Sequence, residues 1–302
     1  MPRILITGAN GQLGNELRAA SGNHAGHDFV FTDVEALDIG NERETDLFIN
    51  RTRPDWIVNC AAYNLVDQAE SEPDAAALIN STGVGNLRAA ISGSQCRLIH
   101  VSSDYVLDGR ANIPYREDAA TNPLSVYGRS KLGGETHALL HHASMVIRTS
   151  WLHSPFRKNF VKTILGKAGD NRSLQVVFDQ TGTPTYAADL ADAIMGIISG
   201  VSGGRLAFVG GIYNYSNEGV CSWYDLAVEI VREAGLSCHV IPVLGRDLPL
   251  TAPRPAYSVL DKSKIREKYG LAIPHWRASL ARCLRRLKQE GGDPSSQLST
   301  FG

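Results

Sequence analysis

Ile4-Leu5-Ile6-Thr7-Gly8-Ala9-Asn10-Gly11-Gln12-Leu13-Gly14 sets a short apolar run against three glycines at three-residue spacing, and an amphipathic segment follows from Leu13 to Ala20. The order reads as strand, tight turn, helix. A glycine turn lets an anion approach backbone N–H groups, and the positive end of a helix dipole favours negative charge there. The letters alone are weak evidence, because glycines also serve ordinary turns. Placed directly after a first strand, they predict a pyrophosphate cradle built from Gly8, Asn10, Gly11, Gln12, Leu13 and Gly14.

Outward from that turn, short apolar runs alternate with helical-period segments. Phe29-Val30-Phe31, Trp56-Ile57-Val58, Leu98 to Val101 and Met145-Val146-Ile147 read as strands; Glu42 to Arg51, Ala75 to Ile91 and Val126 to Leu140 read as helices. This βαβ rhythm predicts an α/β fold with a doubly wound parallel sheet of Rossmann type. After Trp151 prolines interrupt the pattern, with amphipathic segments at Trp223 to Ala234 and Leu280 to Leu287. The expected organisation is a dinucleotide-binding domain over 1–150, rejoined by a segment near 183–215 that includes a helix from Tyr186 to Ile198. A smaller, interleaved substrate-binding lobe takes most of 151–290, and a disordered tail covers 291–302.

The 302 residues carry a formal charge of −1 and are 43% hydrophobic, enough for a large core. Near-neutral charge gives no electrostatic case for nucleic acid or an anionic membrane. Five cysteines at 60, 96, 221, 238 and 283 form no CxxC pair, which suits reduced thiols in cytoplasm better than a disulfide framework or zinc site. No secretory leader or bilayer-length apolar run is present, so the sequons at Asn80, Asn171 and Asn214 read as chance matches.

Chemistry concentrates in a few places. Tyr127 and Lys131 are four apart, so on a helix they share one face. An ammonium at about 4 Å in an effective dielectric of about 20 would favour phenolate by about 4 kcal/mol, or about three pKa units. That predicts a tyrosine acidified for proton exchange with a carbonyl. Ser103 ends the fourth strand, where ligands bind in open α/β sheets, and can hydrogen-bond the carbonyl oxygen. Asp33 closes the second strand, where a carboxylate accepts from adenosine ribose and repels a 2′-phosphate, tilting the chain toward NADH. Asp38 and Ile39 can flank the adenine, and Ala61, Ala62 and Tyr63 follow the third strand with the small residues a nearby cofactor requires. Trp151 stands at the sheet's carboxyl edge, as suited to stacking on a sugar as to core packing. His24, His27, His137, His141 and His142 lack metal-ligand spacing and read as solvated, as does the basic run Arg282, Arg285, Arg286 and Lys288.

With these residues placed, the chain resembles the extended short-chain dehydrogenase/reductases, and within them the dTDP-4-dehydrorhamnose reductases, from about Arg3 to about Leu287. The resemblance lies in GANGQLG, NCAAYNLVDQAESEP, SSDYVLDG, NPLSVYGRSKLGGE, RTSW, NFVKTIL, DQTGTPT, RPAYSVLD and Pro274-His275-Trp276. It implies catalytic Ser103, Tyr127 and Lys131, with Lys131 also on the nicotinamide ribose. It further implies NADH or NADPH as cofactor, a nucleotide-sugar substrate, sugar contacts from Asp104, Tyr105 and Trp151, and diphosphate contacts from Asn159 and Arg254. The related 4,6-dehydratases carry a glutamate where Tyr105 stands, and a phenol is a poor base for a carbon-bound proton. The implied reaction is therefore reduction of dTDP-4-dehydro-6-deoxy-L-mannose to dTDP-L-rhamnose. Another nucleotide-sugar reductase or epimerase, or a non-catalytic regulatory subunit of the same fold, stays open. The resemblance also leaves room for a homodimer with magnesium held by glutamates at the dimer contact: Glu16 matches one position, Asp189 is shorter than the expected glutamate, and a C-terminal ligand is not evident.

Overall fold

A computed structural model describes residues 1–248 and 251–291 of the chain, so most of the predicted tail lies outside the described residues. The first part runs β1 (Arg3–Thr7), α1 (Gln12–Ser21), β2 (Asp28–Phe31), α2 (Glu42–Thr52), β3 (Trp56–Asn59), α3 (Val66–Ala69), α4 (Pro73–Ala77), α5 (Gly83–Ala90), β4 (Arg97–Ser103), α6 (Val126–Leu139) and β5 (Ser144–Thr149). The second runs β6 (Leu152–His153), α7 (Phe160–Asp170), β7 (Ser173–Val177), β8 (Thr181–Gly182), β9 (Thr185–Tyr186), α8 (Ala187–Ser202), β10 (Gly211–Asn214), β11 (Cys221–Ser222), α9 (Trp223–Ala234), β12 (His239–Val243), α10 (Ser263–Tyr269) and α11 (Trp276–Gly291).

The main sheet has six strands in the order β10-β5-β4-β3-β1-β2, and every pairing in it is parallel. This is the doubly wound α/β architecture the rhythm predicts. Its strands read as continuous apolar runs because both faces are covered: Ile4, Ile6, Trp56 and Val58 meet α1 and α8, while Leu5, Ile57 and Leu98 meet the side of α5. In α8, Leu190, Ile194, Met195, Ile197 and Ile198 are all fully buried. A separate core joins Val161 and Ile164 of α7, Leu226 and Ile230 of α9, Val176, Val240 and Trp276. Helix α9 occupies the range its periodicity predicts because Ser222 and Asp225 form a capping box and Gly235 ends the helix at φ 72°.

The strand order turns back between β1 and β3, and the crevice beyond the carboxyl ends of strands at such a point is where open α/β sheets bind ligands. Ser103 at the end of β4 and the loops after β1 and β3 face this edge. One element differs from expectation. The segment from Ala75 to Ile91 is not one helix but α4, a π-helical turn over Leu78–Thr82, and α5. The wide turn brings Asn80 fully inside, where its amide finds partners that a regular helix face would not offer. Two surface assignments also change. His141 is buried with Nε2 2.8 Å from the Cys96 carbonyl, and the basic run is split. Arg286 is partly buried on Glu16, and Arg282, though 42% exposed, pairs with Asp189, because those buried carboxylates need counter-charges; Arg285 and Lys288 are exposed.

Candidate active site

Gly8 sits at φ 60°, and a Cβ there would lie 2.6 Å from the Ala61 nitrogen. The turn after β1 therefore touches the turn after β3 backbone to backbone, which only glycine permits. Gly14 is equally constrained, since its Cβ would come within 2.5 Å of Ala9 Cα and the Gly8 carbonyl. Gly11 caps α1 with no side-chain acceptor for the first amides, and no acidic residue occupies the first turn. Those N–H groups are a fit for pyrophosphate. Leu13 is buried in the core, and Gln12 is tied to Ser154 and the Leu152 carbonyl, so these two offer backbone to a ligand.

The Asp33 carboxylate braces this turn, accepting from Asn10 N at 2.7 Å and from Val34 N at 2.9 Å. Asp38 accepts from Gly40 N at 2.8 Å. Ile39 departs from expectation: it is only 3% exposed and packs against Leu37, Ile49 and Val84, so its side chain is core and not a surface for adenine. Gly83 closes over that side chain, since a Cβ there would lie 2.7 Å from Ile39 Cγ1.

Tyr127, Lys131 and Ser103 are all buried, and the structure brings them to one region where α6 crosses the end of β4. Ser125 caps α6 through Gly128 N, so the helix starts at Val126, one residue before the tyrosine. The electrostatics differ from the sequence expectation. Lys131 Nζ donates to the Val101 carbonyl at 2.7 Å, and burial pulls its pKa down to about 8. Burial pushes the Tyr127 phenol up to about 12, with the Ser103 hydroxyl lowering it and the Asp104 charge raising it. Desolvation is the largest cause, and the charge of Lys131 is not among those acting on the phenol. At neutral pH the phenol is thus a loaded acid, its hydroxyl donating weakly to Asn64 Oδ1 at 3.4 Å.

Beside it, Asp104 is 1% exposed and accepts from Ser103 Oγ at 3.0 Å, and the Ser258 hydroxyl also acts on its carboxylate. Burial raises it from 3.8 to about 6. A raised carboxyl pKa means the native state holds the proton more tightly than the unfolded chain. Its stabilising contribution is present below about pH 4, is lost as pH rises to about 6, and leaves a deficit of about 3 kcal/mol above that. Asp104→Asn should remove that slope and raise stability at pH 7.5, measured by urea unfolding at pH 5 and pH 7.5. An unchanged slope in the variant would show that Asp104 is not the titrating group.

Two further residues hold this geometry together and are not among the site residues named from the sequence: Asn80, and Glu135, which ends the NPLSVYGRSKLGGE stretch. Asn80 clamps the loop after β3 to α6, donating to the Tyr63 carbonyl and Ser130 Oγ and accepting from Tyr63 N, with all three contacts within 3.0 Å. Glu135, two turns after Tyr127, takes Arg148 Nε at 2.9 Å, Arg148 Nη2 at 2.8 Å and Ser102 Oγ at 2.6 Å. Its charge also raises Lys131 against the pull of burial. The i, i+4, i+8 spacing of Tyr127, Lys131 and Glu135 was the available signal.

On the proposed sugar side, the Tyr105 ring meets Tyr127 edge to face at 5.3 Å, and burial holds its phenol well above the usual range. Trp151, at φ 48°, stacks on Trp223 at 3.6 Å, so one face is already used by the protein. Asn159 caps α7 through Lys162 N and braces the Ser154 carbonyl. Arg254 is held by both Asp67 oxygens at 2.9 and 2.6 Å. Ala61, Ala62 and Tyr63 remain half-buried at the crevice.

The carboxylates at which the resemblance would put magnesium do not suit it. Glu16 receives Arg286 at 2.5 Å, and Asp189 receives Arg282, Asn217 and Ser279. Guanidinium groups already supply the positive charge, and no cluster of three metal-capable side chains occurs among the described residues. Among those residues, too, no helix is long and apolar enough to cross a membrane.

This arrangement, a glycine turn at the sheet's reversal beside a buried Ser-Tyr-Lys group, matches a family model described as "RmlD substrate binding domain" over residues 2–289. The chain belongs to that family. It is 39% identical to the spore coat polysaccharide biosynthesis protein SpsK of Bacillus subtilis, with 94% of this chain and 98% of the relative covered. It is 38% identical to a dTDP-4-dehydrorhamnose reductase of Aggregatibacter actinomycetemcomitans, covering 93% and 97%. A solved dTDP-4-dehydrorhamnose reductase of Bacillus anthracis in complex with NADP superposes with a TM-score of 0.89 at 36% identity, covering 95% of this chain and 100% of that one. Membership in the RmlD family thus extends across both cores, not the dinucleotide fold alone.

Proposed function

We propose that this chain reduces the 4-keto group of dTDP-4-dehydro-6-deoxy-L-mannose, giving dTDP-L-rhamnose with oxidation of NADH or NADPH. The observation that carries the reading is the buried group of Ser103, Tyr127 and Lys131 at the carboxyl edge of the sheet, next to a glycine turn fit for pyrophosphate. Full-length similarity to named dTDP-4-dehydrorhamnose reductases supports the substrate.

A bound nicotinamide dinucleotide supplies the hydride; the glycine turn, Asp33, Asp38, the Ala61–Tyr63 loop and Lys131 would hold it. The protein's residues handle the proton and the oxygen. Ser103 Oγ donates to the carbonyl oxygen and aligns it with Tyr127. Tyr127 passes its proton to that oxygen as hydride reaches C4, the carbonyl taking the place of Asn64 as acceptor. Lys131, charged below about pH 8, stabilises the phenolate left behind. Asp104, Tyr105 and the remaining face of Trp151 would bound the sugar, with Asn159 and Arg254 toward the diphosphate. Tyr105 offers no carboxylate base, so the site favours reduction over dehydration.

The test is NADH and NADPH oxidation with a panel of keto-sugar nucleotides and identification of the product. Turnover confined to a different nucleotide sugar would reassign the substrate. Dinucleotide binding without oxidation of any substrate would instead favour a non-catalytic subunit.

A further inference from the structure

We propose that Arg157 is the side chain that receives the adenosine 2′-phosphate and so admits NADPH despite Asp33. The inference rests on the nicotinamide-dependent reading above. Asn10 is gripped from two directions: its N–H donates to Asp33 Oδ2 at 2.7 Å, and its carbonyl accepts from Arg157 Nε at 2.6 Å. The carboxylate expected at the ribose and a guanidinium 124 positions later therefore flank a single residue of the glycine turn.

The arginine is preset there. Ser154 Oγ accepts from Phe156 N at 3.1 Å and also contacts Gln12, Arg286 lies 4.9 Å over the Phe156 ring, and Arg157 takes φ 57°, a left-handed conformation uncommon outside glycine. With Nε on the Asn10 carbonyl, both terminal amino groups make no hydrogen bond or ion pair among the described residues. Arg157 is exposed, so these donors face solvent at the mouth of the turn. A guanidinium fork matches phosphate oxygens in geometry, and an arginine near the acidic residue after the second strand is how such a site accommodates a 2′-phosphate. Asp33 alone would repel that phosphate; Arg157 offsets its charge and offers the phosphate donors without removing the carboxylate that braces the turn.

The alternative is that Arg157 only pins the 154–158 loop onto the glycine turn. The two roles separate in binding measurements made without sugar. Dissociation constants of NADP⁺, NAD⁺, adenosine 2′,5′-bisphosphate and 5′-AMP are measured by calorimetry for the wild type, Arg157→Ala and Arg157→Lys. Arg157→Ala should weaken NADP⁺ and the 2′,5′-bisphosphate by about tenfold or more while leaving NAD⁺ and 5′-AMP within about twofold. Arg157→Lys should fall between, and the wild type's preference for the 2′-phosphorylated ligands should shrink as salt rises. Equal weakening of NADP⁺ and NAD⁺, or no change in either, would overturn the assignment. Wild type that binds NAD⁺ but not NADP⁺ would overturn it and leave the reductase reading standing, whereas wild type that binds neither would overturn both.

Discussion

Tyr127→Phe should lower kcat by about 10²–10⁴-fold while NADPH affinity stays within about threefold, because the change removes the proton donor and little else. The ring is 8% exposed and packed edge to face on Tyr105, contacts that phenylalanine retains. The hydroxyl meets Asn64 at 3.4 Å, too long to matter much for stability, and the Ser103 hydroxyl, which keeps Asp104 as a partner when the phenol is removed. Steady-state kinetics and direct cofactor binding check the two halves separately. Turnover near the wild-type level would remove Tyr127 from the mechanism. A parallel fall in cofactor affinity would place it in binding instead.

Breaking the Glu135–Arg148 pair should have the largest effect on stability. Both side chains are 2% exposed and share two hydrogen bonds, so Arg148→Met leaves a carboxylate buried beside Ser102 and Lys131 without its main counter-charge. Such losses are about 3–5 kcal/mol, while replacing both partners by uncharged residues of similar size is often near neutral. Glu135→Gln or Arg148→Met alone should therefore lower urea-unfolding stability by that amount, and the double variant should recover most of it. A loss below about 1 kcal/mol in both single variants would mean the pair is not the buried unit described. The pair also reaches the chemistry. Lys131 loses its proton as pH rises through about 8, so kcat/KM should fall above that point. Removing the Glu135 charge in the folded double variant should move that fall to lower pH, since the carboxylate is what holds Lys131 up.

The parallel sheet and most of its helices were legible because doubly covered strands leave continuous apolar runs and the covering helices leave amphipathic ones. Helix α9 carried its own stop and start in Ser222, Asp225 and Gly235. The break at Leu78–Thr82 was not legible: nothing local distinguishes Asn80 from a surface asparagine, and its role exists only once α6 lies against it. Gly133 and Gly134 were the trace of that approach, since a Cβ at Gly134 would sit 2.2 Å from the Asn80 carbonyl. Spacing and strand ends suffice to propose Ser103, Tyr127 and Lys131 together, whereas their electrostatics are not legible in the sequence. The four-residue spacing predicts an ammonium acting on the Tyr127 phenol, but Lys131 is drawn to the Val101 carbonyl and desolvation governs both groups, which depends on how deeply tertiary packing buries them. Ile39 and the ion-paired arginines of α11 differ from expectation for the same reason, being set by tertiary partners far away in the chain.

The central claim is hydride delivery to a sugar carbonyl with Tyr127 as proton source, and isotope tracing tests it most directly. The enzyme is incubated with dTDP-4-dehydro-6-deoxy-L-mannose and NADPH or NADH deuterated at the nicotinamide C4, and the sugar product is read by NMR. The account predicts deuterium at sugar C4 in dTDP-L-rhamnose, no solvent hydrogen in any C–H bond formed by the enzyme, and no such product with Tyr127→Phe on the same time scale. Absence of label at C4, or enzyme-dependent solvent hydrogen at a neighbouring carbon, would contradict it.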